Sequence, residues 1–184
     1  MDAQEILNRY ALGQRDFSRV SLIHVCLKKA NLVGVHLCGA NLIGANLLGV
    51  ALSEAHLSQA RLNQANLADA QMIDACLIDA EMMEVDLSGA NLINANLSGA
   101  DLRWANLGGA DLRGANLSQT NLSRADLRGA DLTGANLKQA NLEGANLDGA
   151  YLDQSDLTGA SLEGTTFKAA VLKGAMMPDG TIQV

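Results

Sequence analysis

Aromatic residues make up only 3% of this 184-residue chain, and it contains a single proline. A globular core of this size usually leans on Phe, Tyr and Trp. Leu and Ala must carry the burial here instead. Long apolar runs are also missing. Nothing approaches the ~18 uninterrupted apolar residues of a membrane span, so no membrane insertion is expected. Cysteines are few, three in all and without framework spacing. That fits a reduced compartment and not a disulfide scaffold. Asp2 and Glu5 stand where a secretory signal would carry basic residues. The expected location is therefore the cytosol. Excess positive charge is lacking too: the net charge is −7. This is the wrong sign for direct nucleic-acid binding through phosphates, and too weak for an acidic disordered tail. No Ser/His/Asp or paired-carboxylate set stands out, and the glycines recur too regularly to be a phosphate loop. The expectation is a protein with no enzyme activity, no cofactor and no catalytic residues.

What the chain does have is a period of five. The stretch ANLSGADLRWANLGGADLRGANL, residues 95 to 117, reads almost like a stencil. From Phe17 to Leu172 every fifth residue is Leu, Met or Phe, which makes 32 pentads without an insertion or deletion. Only Phe17, Met72, Met82 and Phe167 replace leucine at these centres. Two residues before each centre the residue is small, usually Ala; just before it Asn or Asp dominates; two after it Gly is commonest. In an α-helix five residues turn by about 500°, so the leucines would spiral over every face. In a continuous strand an odd period throws alternate leucines to opposite sides. A coil made of short straight sides accommodates the pattern. Each pentad supplies one side, with the leucine and the small residue inward and the other three outward. Four sides close a square coil of about 20 residues, and eight coils at the ~4.8 Å inter-strand spacing make a rod about 40 Å long. The period alone also allows a triangular coil.

The pattern A-[ND]-L-x-G, as at Ala135-Asn136-Leu137 and Ala110-Asp111-Leu112, resembles the pentapeptide-repeat family over residues 15–179. The resemblance implies an all-β fold, a right-handed quadrilateral β-helix. It also implies protein partners. Some similar proteins resemble duplex DNA in shape and charge and bind DNA gyrase, and some dimerise through the C-terminal coil. The expected organisation is a capping helix in 1–14, the β-helix in 15–179 and a short tail or cap in 180–184.

A stacked rod has two open ends that need cover. Asp2 and Glu5 resemble a capping box, and Ala3, Ile6, Leu7, Tyr10 and Ala11 fall on one helical face, with Gly13 as the stop. This helix should lie over Phe17. At the other end Pro178-Asp179-Gly180 is a turn signal. Thr181 to Val184 could then fold back over Phe167 and Leu172, or the end could pair with a second copy as a homodimer.

The surface divides unevenly. Residues 20 apart stack in one column, and the four sides carry net charges of −1, −2, 0 and −3. A mimic of B-DNA needs about one charge per 1.7 Å, which leaves the gyrase-directed reading as the alternative. Just after each centre, ten of the first 16 residues are apolar or thiol, and none of the next 16 is. The Ile23–Ile43 and Ile73–Ile93 columns are candidate partner surfaces. In the stretch LADAQMIDACLIDAEMMEVDL, residues 67 to 87, Asp69, Asp74, Asp79 and Glu84 hold one outward position in four successive pentads, beside Ile73, Ile78 and Met83. They form a girdle of acids around one coil. Trp104 should face outward with Arg124 next in its column, a candidate anchor. His36, His56 and Cys76 share a column, but a straight ladder cannot bring all three to one tetrahedral ion. No metal site is assigned from them. A weak metal or small-molecule binder is the third class of function, behind a protein-interaction or scaffold module.

Overall fold

The computed structural model describes residues 1–184. Parallel bridges join each residue before a centre to the one twenty positions on, from Asp16–His36 to Asp156–Met176. Twenty residues are four pentads, so the coil has four sides and the triangular alternative is excluded. The protein is a right-handed quadrilateral β-helix preceded by one short helix.

Four backbone hydrogen bonds per pentad explain the regularity, one of them from the corner residue to the next coil, as from the His24 amide to the Ile43 carbonyl at 2.9 Å. The amide of Leu22 donates to the Asn41 carbonyl at 2.7 Å, and the amide of Asn41 donates back to Val20 at 2.9 Å. At the corner the Val25 amide donates to the Leu22 carbonyl at 3.1 Å, which closes a four-residue turn. The third residue of every such turn has positive φ, as in type II turns. Glycine two after the centre is therefore a backbone requirement that many pentads meet and others override.

Asn and Asp before the centre have a second task. Their side-chain oxygen accepts the amide two residues on, as Asn96 Oδ1 does from Ser98 at 3.1 Å. This Asx-type contact turns the chain out of its straight side. The amides also bond along the rod, Asn116 to Asn96 at 3.2 Å and Asn136 to Asn116 at 3.1 Å.

The interior is a single cluster running from Ile6 to Ala175. Leucine centres from Leu22 to Leu157 are at most 2% exposed, and Met72 and Met82 are fully buried among them. Large and small residues alternate so that successive layers fill a narrow core. Where Thr120 and Ser155 replace the small apolar residue, each hydroxyl donates to a carbonyl of its own turn, Leu117 and Leu152. The burial of these two hydroxyls is therefore compensated.

Helix α1 spans Ala3–Ala11. The Asp2 side chain accepts the Glu5 amide at 2.8 Å, and Gly13 follows with φ of 94°. Ile6 is fully buried against Phe17's end of the core, while Ala3, Leu7 and Tyr10 pack at its margin. Ala11, expected on the same face, is exposed. The Tyr10 hydroxyl donates to the Val33 carbonyl at 2.8 Å and fastens the helix to the last side of the first coil.

The C-terminal end is closed less well. Residues after the Pro178-Asp179-Gly180 turn do fold back, with Ile182 bridging Met176 antiparallel and Gln183 donating to Ala175 at 2.9 Å. This hairpin lies along one side only. Leu162, Phe167 and Leu172 remain half-buried, so the expected cover over Phe167 and Leu172 is incomplete. A four-residue tail paired with the Met176 side is too short to span the three other sides.

Candidate interaction surface

The interior has no room for a ligand, so the surface holds every candidate. Two shallow concavities mark it. One, about 440 Å³, is lined by Arg103, Trp104, Ser123, Arg124, Glu143 and Glu163, with Gly144 at its floor. The other, about 360 Å³, is lined by polar residues from Ser118 to Thr158.

The first exists because a tall column ends abruptly. Trp104 is 53% exposed, and the Arg124 guanidinium lies 4.6 Å from its ring centre. The next two residues of that column are Gly144 and Gly164, which leave a step. Trp104 and Arg124 thus pair as expected.

The acid girdle sits on the corners. Asp69, Asp74, Asp79 and Glu84 are exposed, one per corner of a single coil. Their φ values lie between 54° and 57°, in the left-handed region. They belong to a longer interval. Residues 50–88 contain no glycine, so seven consecutive turns from Glu54 to Glu84 place a side chain where the backbone favours none. Each such placement costs roughly 1 kcal/mol. Two of the acids lean over bare backbone of the next coil. A Cβ added at Gly89 would lie 2.8 Å from Asp69 Oδ1, and one at Gly99 would lie 2.3 Å from Asp79 Oδ1. Glu84 instead accepts from Gln64 at 3.0 Å.

The apolar columns are thinner than expected. Ile43, Ile73, Ile78, Met83 and Ile93 are half-buried. Among the apolar residues that follow centres in the first half, only Ile23 at 48% and Val33 at 37% count as exposed. The reason is the stacking itself: a corner side chain lies against those of the coils above and below. The patch is a set of narrow apolar edges beside acidic corners.

The second half neutralises itself in a way the sequence reading missed. Asp-Leu-Arg recurs at 101–103, 111–113 and 126–128. Each arginine folds back on the aspartate two residues before it, at 2.7, 2.6 and 2.6 Å. These hydrogen bonds hold the Asp101, Asp111 and Asp126 carboxyls below the usual carboxylate value, against a smaller opposing effect of burial. The spacing i, i+2 on an extended side was the available signal.

In the histidine column, the His36 and His56 ring centres are 4.7 Å apart in a T-shaped arrangement. Cys76 turns to Ser58 Oγ at 3.2 Å, and Cys38 Sγ points to the His56 carbonyl at 3.7 Å. No three His, Cys, Asp or Glu side chains converge as metal ligands. No helix is long and apolar enough to cross a membrane.

With this geometry stand the comparisons. The family model described as "Pentapeptide repeats" matches eight copies in segments that run from residue 16 to 174. The chain belongs to the pentapeptide-repeat family. As a pentapeptide-repeat protein it is similar to HetL, a pentapeptide-repeat protein involved in heterocyst differentiation regulation in Nostoc sp. PCC 7120. The two are 32% identical, each covered over 100% of its length, with a TM-score of 0.49. QnrB1, a plasmid-mediated fluoroquinolone resistance protein, aligns with 92% of this chain and 85% of its own at 21% identity and a TM-score of 0.47. An uncharacterized Synechocystis protein, slr1851, is 65% identical over 34 residues, which are 18% of this chain and 21% of that protein. The match thus spans about a fifth of that curated relative's length.

Proposed function

We propose that this pentapeptide-repeat protein is a non-enzymatic rod that presents a binding surface to a protein partner in the cytosol. One observation carries the reading. Seven consecutive corners, Glu54 to Glu84, keep side chains in a left-handed conformation that glycine adopts freely elsewhere in the chain. Side chains held at a backbone cost are expected where they have work to do. The filled interior supports the same reading, since recognition then falls to the outside. The three free cysteines fit a reducing compartment.

The partner surface proposed is the girdle with its apolar edges, Asp74 beside Ile73 and Ile93, Asp79 beside Ile78, and Glu84 beside Met83. Trp104 lies one coil further on in the Glu84 column. Affinity purification with the wild-type chain and with an Ile73→Asp/Ile93→Asp variant tests it. The expected result is loss of a partner from the variant; an unchanged partner set would sink this surface. Trp104 is the only tryptophan, so its emission should change when a partner covers the adjoining coil.

A second reading concerns the open end. Leu162, Phe167 and Leu172 are half-buried where other centres are sealed. This favours a homodimer joined at the C-terminal coil. Sedimentation equilibrium should show a dimer that Phe167→Asp converts to monomer. For the DNA-mimic alternative, the internal pairing of Arg103, Arg113 and Arg128 leaves no strongly acidic face. Protection of gyrase from quinolones by the purified chain would revive it.

A further inference from the structure

We propose that His36 and His56 hold one borderline divalent metal ion of the zinc class between adjacent coils, with water completing its shell. This goes beyond the partner-binding reading and does not depend on it.

The two backbones are pinned. His56 donates to the Val35 carbonyl at 2.9 Å and accepts from the Leu37 amide at 2.7 Å, while the His36 carbonyl accepts from Phe17 at 2.8 Å. The residues themselves form a parallel bridge, so their Cβ atoms are set side by side on one flat face. Only the ring torsions are free, and both side chains are exposed. A zinc ion bound about 2.0–2.1 Å from an imidazole nitrogen lies about 3.2 Å from the ring centre. Ring centres 4.7 Å apart then correspond to a nitrogen–metal–nitrogen angle of about 95°. That lies between the octahedral and tetrahedral values, and rotation of the rings would aim one nitrogen of each at a common point. Imidazole suits zinc, nickel and copper.

The surroundings favour an open site. With no third side chain converging, water fills the remaining positions, so the ion is held more weakly than in zinc sites with three or four protein ligands. The Cys38 thiol is directed at the His56 carbonyl and buttresses that residue's backbone. Cys76, one rung further, is held by Ser58. Further along the column, beyond Cys76, asparagine at 96, 116 and 136 stacks as an amide ladder, while Asp16 lies on the other side of His36. Histidine replaces that ladder at two successive rungs.

Zinc titration of the full chain by calorimetry, with a non-thiol reductant, tests the site. The expected result is one ion per chain. His36→Asn and His56→Asn should each weaken binding at least tenfold, and circular dichroism should confirm that both fold, since asparagine already occupies this column. His24→Asn and Cys76→Ser should leave binding unchanged. Wild-type binding no tighter than that of the double histidine variant would overturn the proposal. So would loss of binding in Cys76→Ser with retention in His36→Asn, which would move the ion one rung along. Equal loss in His24→Asn would show scattered surface chelation and overturn it as well.

Discussion

The two halves of the rod share an interior and differ at the corners. Before Ser88 the turns from Glu54 to Glu84 carry side chains, and Ile73, Ile78 and Met83 stand beside three of them. After it, glycine returns to most turns, beginning with Gly89, and arginines bend back onto their own aspartates. Inside, nothing marks the boundary: Leu57 and Leu137 are equally buried, each in line with leucines twenty residues before and after it. The lesson is a division of labour. Leucine and alanine specify the coil, and the corner residues are left to distinguish one stretch of rod from another.

The largest effect should be blind to that boundary. Leu57→Ala and Leu137→Ala should each cost about 2–5 kcal/mol, because both open a cavity in a filled core. Urea unfolding of the two variants measures this; a large gap between them would break the claim of a common interior. Met72→Leu should cost less than about 1.5 kcal/mol.

The next effect tests the contact between halves. Gly99→Ala places a side chain at φ of 71° and against Asp79 Oδ1, whereas Gly109→Ala meets nothing within 4 Å at φ of 64°. Gly109→Ala should lose roughly 1 kcal/mol for the backbone alone, and Gly99→Ala more. In an Asp79→Ala background the excess should vanish. Persistence of the excess there would mean that Asp79 is not its source.

Smaller still is the relief of the girdle. Asp74→Gly should shift stability by no more than about 1 kcal/mol, since released backbone strain is offset by a more flexible unfolded chain. A loss well beyond that would show that the aspartate contributes contacts to the isolated rod. Partner binding, by contrast, should suffer.

The smallest effect belongs to the second half. The carboxyls of Asp101, Asp111 and Asp126 are held below their ordinary value chiefly by hydrogen bonds from Arg103, Arg113 and Arg128. Depressed carboxylates stabilise the fold above the unfolded value near 3.9, and that stabilisation is lost as pH falls through the folded value. Arg113→Ala should therefore lower the melting temperature slightly at pH 7, by an amount that shrinks as pH falls below the ordinary carboxylate range. The pair is exposed, so the shift should be small and reduced by salt.

Much of this was legible in the order of residues. The unbroken phase from Phe17 to Leu172 implies a coil, because neither a helix nor a strand can bury a period of five. The capping role of Asp2 and the stop at Gly13 were readable from helix-end chemistry. The number of sides needed the twenty-residue bridge register. The corner residues were harder. Ile73 and Met83 read as exposed because the pattern reports which way a residue points, not how closely the next coil covers it. The cost of Asp74 or Glu84 at a corner was hidden because the pattern does not print φ. At the C-terminus the turn was plain, but how far four residues reach across a square end is a question of geometry. Trp104 and Arg124 were paired from column position alone.

The twenty-residue register has one more consequence. Adding a single pentad would leave every leucine inward and every layer filled, so the core would register no fault. Everything downstream, however, would be rotated by a quarter turn relative to what came before. Trp104 would leave the line of Glu84, and His56 would no longer lie beside His36 if the insertion fell between them. The rod therefore behaves like a combination lock whose dials turn without loosening the spindle. From Phe17 to Leu172 the dials are all in step, and alignment along each face, which the core does not enforce, is information carried only by the surface.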